Sequence, residues 1–440
     1  MTAVLGPPAE AAVGPRRTIS VWWLSPAVII GAVALPTTVL SGLVADDRYR
    51  ALWRTPKVVD ATLVGLFSLG LLLFILGALL PALRGAAPPA RTWPGFTARD
   101  LRLLGRAQAT LFALTMLGYV GFAFATARAG IGLDVFVRVL VDQELYGVGI
   151  RDSIGTIPGV TTMTQFGVAF VVVTGLLVSA EGWRRRHAVW VAVVLFLALV
   201  RAYFVTERLA LLELVVPLVV VLVLGWSRTR AGARRAGLLP LVMLPVVVGV
   251  FAAFEYSRSW IFYQAQGGQS FPVFVVERFA GYYLTAYNNG AIRLLHQPDS
   301  GLPYDLWAAF WTAPGIADLD LYRRLTGLDE LQVYGEALAS FGNPEFNNTG
   351  GVASPFVDLG WVGGLLFFLL AGFLCGVLYR SVRAGRATGL LFYPLVVLTL
   401  LELPRYVYIA QGRATPALLA FLVIGVLLNR SRRNSAGAPA

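Results

Sequence analysis

The chain of 440 residues is short of most of what a soluble enzyme uses for chemistry. Its one cysteine, Cys375, sits inside an apolar run, so a disulfide or a cysteine-ligated metal is excluded. It has only two histidines, His187 and His296. With no P-loop, no HExxH and no cysteine or histidine cluster, ATP-driven transport and zinc hydrolysis lack a motif. Lys57 is the only lysine among 36 basic residues, so arginine carries the net charge of +12. Charged residues amount to 14% against 57% hydrophobic, a balance that rules out a soluble domain with an anchor and predicts one polytopic membrane domain over 1–440. Nucleic acid is not implied as a partner. Arginines in short loops beside apolar spans are what membrane topology and anionic lipid headgroups require.

Apolar runs long enough to span predict ten helices: Val21–Val44, Ala61–Leu83, Ala107–Ala127, Val160–Ala180, Ala188–Val205, Leu209–Trp226, Gly237–Tyr256, Phe356–Tyr379, Thr388–Leu401 and Ala414–Leu428. The expected fold is all-α. The first run follows Arg16-Arg17 and is too long for a signal peptide, so it is expected to stay as an uncleaved helix. With the N-terminus inside, Arg84–Arg106, Arg184–Arg186, Arg228–Arg235, Arg380–Arg386 and Arg430–Arg433 all fall on the cytoplasmic side, as the positive-inside rule asks. Both termini are then cytoplasmic in a plasma-membrane protein. Three outer segments are too long for turns: Arg128–Gly159, Ser257–Pro355 and the shorter Glu402–Arg413. The large one, 257–355, is rich in aromatics and is expected to fold over the outer face, with Val273–Leu295 forming a helix that lies in the interface or dips partly into the membrane.

The hairpin from Ala188 to Trp226 is clamped between basic loops, so it must leave the cytoplasm and return. Near its outer turn it carries Arg201, Glu207, Arg208 and Glu213. A charge at the bilayer centre costs roughly 2.5–3.5 kcal/mol on insertion scales, so four in one hairpin require partners or a water-filled cavity. Two readings stand: a buried ion-pair network holding the hairpin, or an anion site in which guanidinium forks bind phosphate oxygens.

Other residues divide in the same way. His296, on the outer side, is either a general base near neutral pH or an exposed loop histidine. Asp46-Asp47 is either an acidic pair of the kind found in polyprenyl-dependent glycosyltransferases or the usual acidic flank of a span. Asp318-Leu-Asp320 has the form of a nucleotide-sugar motif but is predicted to lie where nucleotide sugars are absent. The spacing of Arg138 to Gly149 recurs at Arg324 to Gly335, and a chain this rich in both residues produces such pairs by chance. Aromatics of the large loop with Asn288, Asn289, Asn343, Asn347 and Asn348 can stack on and hydrogen-bond a glycan, or form an interfacial belt.

Four stretches carry a resemblance: Ile157-Pro-Gly-Val-Thr-Thr-Met-Thr-Gln165, Arg201 to Pro217 with its Glu-Arg-Leu-Ala-Leu-Leu core, Tyr282 to Asn289, and Phe356-Val-Asp-Leu-Gly-Trp-Val-Gly363. Together with the many helices and one dominant loop, they resemble the bacterial oligosaccharide repeat-unit polymerases of the O-antigen polymerase type. The related ligases share the layout. That resemblance implies glycosyl transfer on the outer face between undecaprenyl-diphosphate-linked oligosaccharides, with arginines neutralising the departing diphosphate and neither metal nor cofactor taking part. It points to Arg208 and Arg201 for the diphosphate, and to Glu207 or His296 as base. Arg258, Arg278, Tyr282, Tyr283, Asn288, Asn289 and Arg405 would hold substrate. Membrane lipid, a flippase and a chain-length regulator are the partners it suggests. The alternatives are a lipid-linked oligosaccharide flippase or polysaccharide exporter, and a scaffold subunit without chemistry.

Overall fold

The computed structural model describes residues 21–83, 85, 96–132, 134–135, 155, 157–204, 209–260, 263–264 and 269–436, and every regular element among them is helical. The chain forms α1 (Pro26–Leu43), a short α2 (Asp46–Trp53), α3 (Ala61–Leu83), α4 (Ala98–Arg128), α5 (Phe166–Glu181) and α6 (Arg185–Phe204). It continues with α7 (Leu209–Trp226), α8 (Arg230–Glu255), α9 (Phe271–His296), α10 (Glu330–Phe341), α11 (Ser354–Arg383), α12 (Ala387–Glu402) and α13 (Thr415–Ala436). Among the described residues nine helices are long and apolar enough to cross a membrane, namely α1, α3 to α8, α11 and α13, and α12 is a shorter apolar tenth. The described chain is therefore that of a multi-pass membrane protein.

Several helices outrun the apolar segments that predict them, because backbone hydrogen bonding continues where hydrophobicity stops. α4 begins at Ala98 rather than Ala107, where Thr97 and Asp100 form a capping box. Thr229 accepts from Gly232 N at 3.0 Å, so α8 begins at Arg230, well before its apolar run. In α1, Pro36 offers no N–H to the turn before it, and residues Ile30–Ala34 widen into a π turn. At Gly360 the backbone adopts φ 69°, ψ 179° and kinks α11, a conformation that only glycine takes without strain.

The helices alternate in direction, which sorts the turns into two ends. At the first, Trp22 and Trp23 donate ring N–H to the carbonyls of Gly237 and Ala236, and Arg380 donates to Pro81 O at 2.9 Å. Arg432 lies 3.5 Å from Asp100 at the same place. This end gathers arginines 184–186, 228–235 and 380–386, and is called the basic end below. The long segment between α8 and α11 folds as a cap on the opposite end.

α9 is the backbone of that cap. Its Tyr287 donates to Ala34 O at 3.0 Å and lies 2.8 Å from Thr37 Oγ1 on α1, while Gly281 packs against the ring of Trp53. Asp358, just before the α11 kink, accepts from the N–H groups of Tyr304 (3.1 Å), Asp305 (3.3 Å) and Leu306 (2.7 Å), fastening the middle of the cap to the bundle. Inside the cap the fully buried Arg293 bonds Asp305 at 2.5 Å and Glu330 at 3.1 Å, and Gln297 donates to the same Glu330.

Below the cap, α3 and α11 approach backbone to backbone. A Cβ at Gly372 would meet the Phe74 carbonyl, one at Gly376 that of Ala78, and one at Gly77 that of Leu369, the small-residue packing that lets membrane helices interlock. α12 runs through the middle, buried on nearly every side, whereas α8 is peripheral and exposes Leu238, Leu241, Leu244 and Val250.

Candidate functional site

A row of arginines and tyrosines crosses the capped end. It starts at Arg278, two turns into α9, where burial brings its side chain down to 3% exposure. An arginine so placed requires opposite charge. Arg278 has two carboxylates, Glu255 at the end of α8 (3.3 Å) and Glu345 (2.6 Å), and it also donates to Tyr263 OH at 3.4 Å. Its guanidinium lies over the ring of Phe346 at 4.6 Å and that of Tyr282 at 5.7 Å. Beside it opens a cavity of about 160 Å³ lined by Trp53, Arg54, Trp260, Tyr263 and Glu277.

Tyr282, one helical turn beyond Arg278, links it to a second arginine. Arg405 sits 5.9 Å from the Tyr282 ring and 5.3 Å from that of Tyr406. It pairs with Glu402 at 2.8 Å and donates to Asn348 Oδ1 at 3.2 Å. Gly350 N–H donates to Arg405 O at 2.9 Å, so the cap and the segment after α12 hold one another. Tyr283 faces the same pair. Burial first, and then the Glu402 carboxylate, push its hydroxyl up to about 12, so it stays a hydrogen-bond donor at neutral pH.

From Tyr406 the row continues to Tyr408, ring to ring at 6.5 Å, and to Arg413, which lies 3.2 Å from the buried Glu213 of α7. Burial, then Glu402, raise the Tyr406 hydroxyl well above its ordinary value. The turn Gly412–Ala414 packs on the turn Thr161–Gln165, where Thr164 accepts from Arg201 Nη1 at 2.8 Å. Arg201 closes the row at the end of α6, its guanidinium 5.8 Å from the Phe122 ring.

The structure therefore brings together Arg201, Arg278, Tyr282, Tyr283 and Arg405 of the residues expected to carry function. Glu207 and Arg208 lie outside the described residues, as does the side chain of Arg258. Asn288 and Asn289 sit in the same helix but are spent on the backbone. Asn288 accepts from Val58 N (2.6 Å) and Val59 N (3.1 Å) and donates to Pro56 O, while Asn289 donates to Phe346 O (2.6 Å) and Asn348 O (2.9 Å). His296 is exposed at the far end of α9, stacked on Phe341 at 3.9 Å. Eighteen residues of helix put it about 27 Å from Arg278.

Asp46 and Asp47 occupy the first turn of α2, with Asp46 3.7 Å from Lys57. Asp318 and Asp320 lie on the exposed side of the cap, where Asp318 accepts from Gly315 N and Asp320 is 3.8 Å from Arg323. Arg138 and Gly149 are outside the described residues.

Sequence reasoning singled out Glu213 but passed over Glu255, Glu345 and Glu402, which also hold the row. Glu255 and Glu402 each stand out as a lone acidic charge closing an apolar run. Glu345 and Tyr406 carry no comparable signal. No protein-family model, no curated protein and no solved structure matches this chain.

Proposed function

We propose that this chain is a membrane glycosyltransferase that joins lipid-diphosphate-linked oligosaccharide repeat units at the face bearing the cap. The observation that carries the reading is the continuous row from Arg278 through Arg405 and Arg413 to Arg201, with Tyr282, Tyr283, Tyr406 and Tyr408 between the arginines. An elongated substrate with an anionic head and a polyhydroxylated body asks for such alternation. Guanidinium groups match diphosphate oxygens, and aromatic faces with hydroxyl tips match sugar rings. The arginine-rich turns at the other end favour the cytoplasm by the positive-inside rule, which turns the cap outward, where undecaprenyl-diphosphate oligosaccharides meet their polymerising enzymes.

In this reading the bond between the sugar anomeric carbon and the diphosphate breaks as an acceptor hydroxyl attacks that carbon. The diphosphate leaves with the electron pair, and Arg201 and Arg208 stabilise the charge that develops on it. The hydroxyl proton passes to a carboxylate, for which Glu207 beside Arg208 is proposed. Arg278, held by two carboxylates, serves as a wall of the acceptor side rather than as the diphosphate ligand.

Purified protein incubated with a lipid-diphosphate oligosaccharide should give a ladder of joined repeat units. A preparation that moves such lipids across a vesicle membrane without joining them would make the chain a flippase.

A further inference from the structure

At the basic end a second cavity, of about 350 Å³, opens between the first turns of α4, the last turn of α5 and the start of α6. Arg102, Arg184 and Arg186 line it with a single carboxylate, Glu181, and Leu101 and Leu177 supply an apolar wall. Topology accounts for arginines at this end. It does not account for His187. His187 lines the same cavity and is 1% exposed, and its Nδ1 is buried with no hydrogen-bond partner among the described residues. A buried ring nitrogen left without its hydrogen bond is costly, and a ligand oxygen reaching it would supply the bond.

The surrounding groups narrow the ligand. Arg184 pairs with Glu181 at 2.7 Å and is 63% exposed, Arg102 is exposed, and Arg186 makes a long 3.4 Å bond to Gln108 while lying over Trp190. The cavity wall thus holds two more positive charges than negative ones. The first turn of α6 adds N–H groups that have no acceptor within the helix and the positive end of its dipole. Planar forks, oriented N–H groups and a ring nitrogen around one space match a tetrahedral oxyanion. We infer that this cavity binds a phosphate group, carried either by an anionic phospholipid headgroup or by a soluble phosphate compound. The site stands apart from the row at the capped end and does not depend on the glycosyltransferase reading.

Native mass spectrometry of the full chain in detergent tests it, with phosphatidylglycerol, phosphatidylcholine and inorganic phosphate as probes. Phosphatidylglycerol should stay bound, and Arg102→Gln with Arg184→Gln should weaken it about tenfold or more. Arg234→Gln with Arg235→Gln, exposed arginines of the same end outside the cavity, should leave binding unchanged. Glu181→Gln releases Arg184 and should tighten binding, which a variant that merely folds poorly cannot do. If inorganic phosphate at millimolar concentration displaces the lipid and protects the protein from heat, the source is a soluble phosphate compound; if it does neither, the source is the headgroup. Equal phosphatidylglycerol binding by wild type and the cavity variant, or equal losses in both arginine pairs, would overturn the site.

Discussion

The two ends of the bundle are both rich in arginine and use it differently. At the basic end Arg184 bonds a neighbour three residues away and stays mostly in solvent, and Arg380 donates to a backbone carbonyl. At the capped end Arg278, Arg293, Arg405 and Arg413 are each held by carboxylates, and those of Arg278, Arg293 and Arg413 come from distant parts of the chain. Charge at the first end answers to the membrane, which needs only its sign and position. Charge at the second is built into a folded layer, where desolvation makes every missing partner expensive. Residue type alone does not separate the two uses, but burial of the arginine does: the side chains of Arg184 and Arg432 are 63% and 37% exposed, and those of Arg278, Arg293, Arg405 and Arg413 are 22% or less.

The sharpest way to break this comparison is to ask whether the ends lie on opposite sides of a membrane. In a Cys375→Ala background, cysteine placed at exposed Ala339 on α10 should react with an impermeant thiol reagent in intact cells, and cysteine at exposed Ala231 on α8 should not. Labelling of both, or of Ala231 alone, would end the assignment of an outward cap.

Next in size is the buried network of the cap. Arg293→Ala leaves Asp305 and Glu330 without their cation and should cost about 3–5 kcal/mol, read as a lower melting temperature and less protein in the membrane. A loss of under about 1 kcal/mol would put Arg293 with the topological arginines.

Function sharpens the contrast further. Arg201→Ala and Arg208→Ala should each slow the joining of repeat units about a hundredfold while the protein still accumulates. Lysine at either position should restore little, since it keeps the charge and loses the fork. Full activity in both alanine variants would leave the row as structure only. The smallest effect is expected from Arg184→Ala, within about 1 kcal/mol of wild-type stability because its pair is exposed.

Much of the fold was legible because hydrophobicity reports helices directly in a membrane chain. The runs Ala61–Leu83 and Leu209–Trp226 coincide with α3 and α7, and Val273–Leu295 falls inside α9. Helix starts were less legible, as at Ala98, where a polar cap decides the end and hydropathy is silent. The site was legible by residue type and illegible by partnership. Arg278 and Arg405 could be singled out, yet nothing local ties Arg278 to Glu345 or Arg293 to Glu330. Asn288 and Asn289 show the same gap: an amide that suits a sugar hydroxyl suits a loop carbonyl equally, and here the loops at 56–59 and 346–348 take both. Gly360 and Asp358, quoted for a resemblance, turn out to hold a kink and the cap that rests on it.

α12 has sixteen residues and therefore rises about 24 Å, less than the ~30 Å hydrocarbon core of a bilayer. A helix facing lipid with that shortfall would thin the membrane around it or tilt its neighbours. α12 touches protein on nearly every side, so the mismatch never reaches an acyl chain. Changes in bilayer thickness will strain the outer helices, α8 most of all, while the helix that carries Glu402 and leads into Arg405 keeps its register. The Arg405 segment of the row is thereby insulated from the composition of the surrounding membrane, whereas Arg278, tied to α8 through Glu255, is exposed to it.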